Sequence, residues 1–202
     1  GDSKFTEHVI QDLKEAEKVE IDIASDTEMT RGIGLRMKLE KEKDEPRADV
    51  YWNNELVNTI LLKKAGLLAQ YKSPSAESIP DEFVDPEGYW TAFGARARVF
   101  IVNTDLVAEG EEPTTYEDFL DPKWKGKCGI SKPLGGTTAT HAAALFVLWG
   151  EEKAKKFYNA MKANEVVLCE GNGPVMNQVA DGELAWGWTD TNDCNIAIEK
   201  EK

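Results

Sequence analysis

The 202-residue sequence predicts an α/β protein with a mostly parallel sheet, and three observations carry that expectation. Helix-period and strand-like segments alternate along nearly the whole chain, the pattern of repeated strand–helix–strand units. Short turns rich in Gly, Ser, Thr, Asn and Asp stand where strands hand over to helices. Hydrophobic residues make up 41% and charged residues 30%, enough apolar content to bury a core.

The first half opens with TEHVIQDLKEAEK, which places Val9, Ile10, Leu13 and Ala16 at helical spacing. VEIDIAS then reads as a short strand. TRGIGLRMKLEKEKDE is a second helix, ended by Pro46, and ADVYWNNE is a second strand. ELVNTILLKKAGLL is a third helix, closed by Gly66. TAFGARARVFIVNT alternates and is long enough for two strands, or for one that crosses between lobes.

The second half repeats the alternation. Thr114 and Glu117 form a capping-box pattern for the short helix TYEDFL. KCGISKP is a strand, and THAAALFVLWG is a buried helix ended by Gly150. EEKAKKFYNAMKAN is amphipathic, VVLCEG a strand, GPVMNQVADG a helix with Pro174 near its start, and ELAWGWTD another strand. The expected organisation is one lobe over 1–95, a hinge-crossing segment over 96–103 and a second lobe over 104–202.

A net charge of −13 argues against nucleic acid as a partner. No apolar run approaches the roughly 20 residues of a membrane-spanning helix. With no CxxC and two histidines, a structural zinc site is not expected. Cys128 and Cys169 read as buried strand residues, and whether a disulfide joins them is left open, a bridge requiring that their strands be neighbours. Cys194 reads as a buried helix residue.

Ligands of open α/β sheets bind beyond the carboxyl ends of strands. Five strand-to-helix turns qualify: ASDTEMT, YWNNE, SKPLGGTT, EGNGP and WTDTND. Falling in two groups, they suit a cleft holding one small ligand. SKPLGGTTATH puts two glycines and three threonines at a helix start, where free backbone N–H groups and the helix dipole favour an anion. Glu28, Glu55, Glu170, Asp190 and Asp193 sit in the same turns, which fits a metal with a companion anion, or a zwitterion, better than a bare anion. Trp186 and Trp188 alternate with Gly187 and so share one sheet face, as core residues. Arg96, in ARAR, is placed to pair with a carboxylate. No phosphate-loop GxxxxGK[ST] or GxSxG elbow occurs, and His141 lies in an apolar helix, so no catalytic residue is expected.

The series ADVYWNNE, TILLKKAGLL, YKSP, GYWTAFGARARVFIVNTD, PTTYEDFLDPKWKGKCGISKPLGGTTATH and NQVADGELAWGWTDTND resembles the bacterial extracellular solute-binding proteins of ABC transporters, in their ferric-iron-binding branch. The resemblance implies a periplasmic-binding-protein type II fold with two lobes, helices on both sheet faces, and closure on one ligand. It also implies an exported, periplasmic or extracellular protein that passes its ligand to a membrane permease.

In the iron branch a first-lobe carboxylate and two consecutive tyrosines grip the metal, beside a small-residue loop and an Asn that hold a companion anion. Glu55 matches the carboxylate, Gly136, Thr137 and Thr138 the loop, and Asn172 the Asn. The tyrosine positions read Asn192 and Asp193 here. The expected ligand set is therefore Asn54, Glu55, Arg96, Gly136, Thr137, Thr138, Asn172 and Asp190. Glu55, Asp190 and Asp193 are the metal candidates for Fe3+ with its companion anion. An organic anion, phosphonate or amine held without metal is the alternative, as is a ligand-sensing role. Family members begin with an earlier strand and run past Lys202, so the chain is expected to be truncated at both ends. The resulting open edge of the first lobe predicts dimerisation.

Overall fold

The computed structural model describes residues 3–25 and 33–199. Two units can be distinguished, Gly1–Asn53 and Asn54–Lys202. The first contains α1 (Ser3–Glu17) and α2 (Ile33–Lys41), the latter carrying an Arg36–Glu40 ion pair one turn apart. VEIDIAS and ADVYWNNE, expected as strands, join no ladder. Neither meets a neighbouring strand among the described residues, and an extended segment without a partner has nowhere to place its backbone hydrogen bonds.

In the second unit, α3 (Leu56–Lys64) starts at Glu55, whose carboxylate accepts the Asn58 N–H at 3.2 Å. It ends at Gly66, φ +71°, the left-handed position where Cβ-bearing residues are strained, and Leu67 N–H returns to Leu62 O. Lys63 then fastens the helix to the following loop through Asp85 and Glu87, each at 2.7 Å.

The sheet has four strands in the order β1 (Arg98–Val102), β4 (Trp186–Asp190), β2 (Cys128–Ser131), β3 (Val167–Cys169). β1 runs antiparallel to β4 and the other pairings are parallel. TAFGARARVFIVNT thus yields one strand, preceded only by an isolated Val84–Thr91 bridge. Parallel strands need helical crossovers. Between β2 and β3 the chain forms α4 (Gly136–Trp149) and α5 (Glu151–Ala163); α6 (Asn172–Ala180) separates β3 from β4, and α7 (Thr191–Glu199) follows β4. The expected capping box forms one residue later than read, at Thr115 with Asp118: that carboxylate accepts the N–H groups of Thr114 and Thr115, both at 2.8 Å. Asp118 fits because its shorter side chain folds back onto a tight 3-10 turn.

The two faces of the sheet differ in kind. One carries Trp186 and Trp188, which pack with Phe100, Tyr116 and Phe119 and with α5 through Phe157 and Met161. The other is aliphatic, built from Ile101, Val175, Val179 and Leu184. Here Gly129 and Gly187 present no side chain: a Cβ on Gly187 would lie 2.5 Å from Val175 Cγ1, and one on Gly129 2.6 Å from Leu184 Cδ1. Strand alternation therefore places both tryptophans in core, as their spacing predicts, and lets α6 lie directly on the backbone between them.

This layering decides one open reading and corrects one expectation. Cys128 belongs to the aromatic core and Cys169 to the aliphatic one, and both are free thiols, because the sheet itself stands between them. Burial accordingly pushes the Cys128 thiol up to about 12. The helix α4 is not buried throughout: Leu145 is enclosed, whereas Val147 and Leu148 are 83% and 77% exposed. Its composition is apolar on every side, but only one side meets the rest of the unit. Among the described residues no helix is long and apolar enough to cross a membrane.

Candidate functional site

The carboxyl ends of β2, β3 and β4 deliver the N-termini of α4, α6 and α7 to one edge of the sheet, where α/β proteins bind ligands. The residues preceding α4 and α6 are Gly135 and Gly171, both extended and neither supplying a side-chain cap. Gly136 begins α4 at φ +62°, a conformation that favours glycine. The positive ends of two helix dipoles are thus left without a capping carboxylate or hydroxyl of their own.

A polar network fills this edge. Asn172, at the start of α6, donates from Nδ2 to Asp190 Oδ2 (2.9 Å) and Thr137 Oγ1 (3.1 Å), while its Oδ1 accepts from Arg98 Nη1 (3.0 Å) and Thr138 Oγ1 (3.3 Å). Both donors and both lone pairs of the amide are used. Asp190, at the last position of β4 and 1% exposed, also accepts from Thr137 Oγ1 at 3.0 Å and forms a 2.8 Å ion pair with Arg98. Beneath it, the Thr189 hydroxyl reaches Asp193 Oδ2 at 2.9 Å and Asn172 O at 3.3 Å. Burial pushes the Asp193 carboxyl above its usual range; the Thr189 bond works against that, and the neighbouring Asp190 charge reinforces it.

Thr137, Thr138, Asn172 and Asp190 are therefore brought together as the sequence suggested, with Gly136 at the head of the same helix. The other expected residues lie differently. Glu55 divides its carboxylate between the α3 cap and Thr140 Oγ1, on α4. Asn54 and Arg96 are exposed. Glu170 is also exposed and ion-paired with Lys132, and Glu28 lies outside the described residues. Glu55, Asp190 and Asp193 do not converge on one point: each is hydrogen-bonded to a different set of partners, and among the described residues no group of three or more His, Cys, Asp or Glu is arranged to hold a metal ion.

Arg98 is the residue that sequence reasoning passed over in favour of Arg96. The register pairs Arg98 with Asp190 across β1 and β4, on the face that also carries Phe100 opposite Trp188. Its guanidinium lies 5.8 Å from the Trp188 ring, and its Nε and Nη2 are buried without a hydrogen-bond partner among the described residues. The available signal was the alternation itself, because an arginine in phase with core aromatics needs a buried counter-charge.

Behind the network, His141 packs 4.4 Å from the Trp188 ring, with Tyr116 Oη 3.4 Å from its Nε2. Burial, helped by the Arg98 charge and opposed by Asp190, lowers its imidazole to about 4, so it is neutral near pH 7. It is a partly buried histidine packed against the aromatic core.

Comparison with known proteins agrees with this architecture. Residues 59–197 match the bacterial extracellular solute-binding protein family. A Serratia marcescens Fe(3+)-binding periplasmic protein is 28% identical over 76% of this chain and 45% of its own length. Iron-bound HitA from Pseudomonas aeruginosa superposes with a TM-score of 0.84 at 25% identity, covering 95% of this chain and 60% of that one. The periplasmic binding protein AfuA from Actinobacillus pleuropneumoniae, solved with fructose-6-phosphate bound, gives a TM-score of 0.73 at 26% identity, over 94% of this chain and 61% of its own. The chain spans about half the length of the curated relatives it matches. Its fold is that of the type II periplasmic binding proteins, and the chain belongs to the bacterial extracellular solute-binding protein family.

Proposed function

We propose that this chain is part of the solute-binding component of a bacterial ABC importer, working in the periplasm or outside the cell and handing one small solute to a membrane permease. The observation that carries the reading is the Arg98–Asn172–Asp190–Thr137 network at the carboxyl edge of the sheet, under two helix N-termini without side-chain caps. In this reading residues 1–95 and 104–202 belong to two lobes hinged through 96–103, and closure of the lobes retains the solute. Glu55, which reaches Thr140 across 85 residues of sequence, is the first-lobe group at the site. No catalytic step is needed, since binding and release are the whole task.

Fe3+ with a companion anion is the solute favoured by the names of the relatives, the Serratia protein and HitA among them. A metal-free organic anion is favoured by AfuA and by the prior commitments of the carboxylates here. Native mass spectrometry of the protein as purified, with elemental analysis of the same sample, distinguishes them. Iron at one equivalent with a small anion supports the first, and a metal-free organic adduct the second. A protein that binds neither iron nor any member of a panel of small anions would overturn the solute-binding reading itself.

A further inference from the structure

The Arg98–Asp190 pair has a consequence for which solute is admitted. Asp190 is the most deeply buried carboxylate at this edge, and its charge is already answered by Arg98 and by hydrogen bonds from Asn172 and Thr137. A metal ion approaching it would meet a guanidinium in the same shell. Arg98 itself is only partly used. Nη1 serves Asp190 and Asn172, while the N–H groups on Nε and Nη2 are buried and unpaired among the described residues. Buried guanidinium N–H groups without acceptors are unfavourable, and a planar fork of such donors fits an oxyanion better than any other acceptor. Among the described residues no acceptor reaches these groups; the Glu55 and Asp193 carboxylates bond to Thr140 and Thr189.

We infer that Arg98 is the specificity-determining residue of the site. It selects a solute bearing a phosphate, phosphonate or carboxylate oxyanion, bound without metal, with Asp190 as an internal anion that competes for the same guanidinium. The inference rests on the solute-binding reading and names the class of solute that reading leaves open. It also makes the two members of one ion pair act in opposite directions, which a merely structural salt bridge would not do.

The test is isothermal calorimetry at low salt with inorganic phosphate, and separately with ferric nitrilotriacetate, on the wild-type chain and on Arg98→Lys, Arg98→Gln and Asp190→Asn. Circular dichroism and thermal melts establish that each variant is folded. Phosphate should bind the wild type. Its affinity should fall about tenfold or more in Arg98→Gln, where a charge-assisted fork is lost, and by less in Arg98→Lys, which keeps the charge. In Asp190→Asn, which is close to isosteric, phosphate affinity should rise, because the competing carboxylate charge is gone. Loss of phosphate affinity in both Arg98→Gln and Asp190→Asn would overturn the competition and leave a structural ion pair. Tight ferric binding by the wild type that Asp190→Asn abolishes would overturn the solute class while leaving the solute-binding reading intact. Absence of phosphate binding with ferric binding retained would do the same.

Discussion

The two faces of the sheet solve the same packing problem in opposite ways. On one, large rings fill the space beneath the helices: Trp186 and Phe119 centroids are 4.4 Å apart, and Phe100 stacks on Trp188 at 6.2 Å. On the other, Gly129 and Gly187 withdraw, and α6 settles onto bare backbone through Val175. The aromatic face gives up contact distance for buried area, and the glycine face does the reverse. The difference matters at the carboxyl edge. Asn172, which bonds to four partners there, is the first residue of the closely seated helix, so its reach depends on how near α6 lies to the strands.

Trp186→Ala would break the aromatic face most severely. The side chain is fully buried, and removing it should destabilise the unit by about 3–5 kcal/mol, read from denaturant unfolding. The solute site should be affected only through stability, so a variant still folded at low temperature should retain its affinity.

His141 tests the same face by pH. Its imidazole titrates near 4 in the fold and near 6.5 when unfolded, so the unfolded chain takes up the proton first as pH falls. Its contribution is fully present above pH 6.5 and is lost progressively down to pH 4, by up to about 3 kcal/mol. The loss of stability between pH 7 and pH 4.5 should therefore be shallower in His141→Gln than in the wild type. Parallel pH dependences would mean that the ring is hydrated.

Gly187→Ala sharpens the contrast from the opposite side. The new methyl would meet Val175 Cγ1 at 2.5 Å and Gly129 O at 2.8 Å, which forces α6 outward and should cost about 1–3 kcal/mol. Although smaller than the tryptophan effect, it should weaken solute binding beyond what the stability loss explains, because Asn172 moves with its helix. Calorimetry on the folded variant separates the two. Equal affinity in Gly187→Ala and wild type would show that the seating of α6 does not govern the site.

Much of this was legible in the sequence. The helices from Leu56 onward, the strands at Cys128, Val167 and Trp186, and the alternation that buries both tryptophans follow from periodicity and from punctuation by Gly66 and Gly150. The grouping of Thr137, Thr138, Asn172 and Asp190 followed from family resemblance and from the rule that sites lie at strand ends. What was illegible depended on neighbours. VEIDIAS and ADVYWNNE have strand-like composition but, among the described residues, no adjacent ladder. Val147 and Leu148 are apolar yet largely exposed. Alternation marks Arg96 and Arg98 alike, since both are in phase with Phe100; the choice between them turns on where the β1–β4 ladder begins, and the local sequence does not contain that boundary, because the partner strand lies more than eighty residues away.

That separation has its own consequence. Arg98 and Asp190 are 92 positions apart, and β1 reaches the sheet only by pairing with its last strand. Closing so long a loop is entropically the least favoured pairing of the sheet, and it completes the edge proposed to hold the solute. Under the proposed function, a solute bound there would act as a non-covalent clasp on the most distant contact of the sheet, and by mass action would raise the population of chains in which that contact is made. Under that same proposal, occupancy of the site and closure of the β1–β4 pairing form one equilibrium.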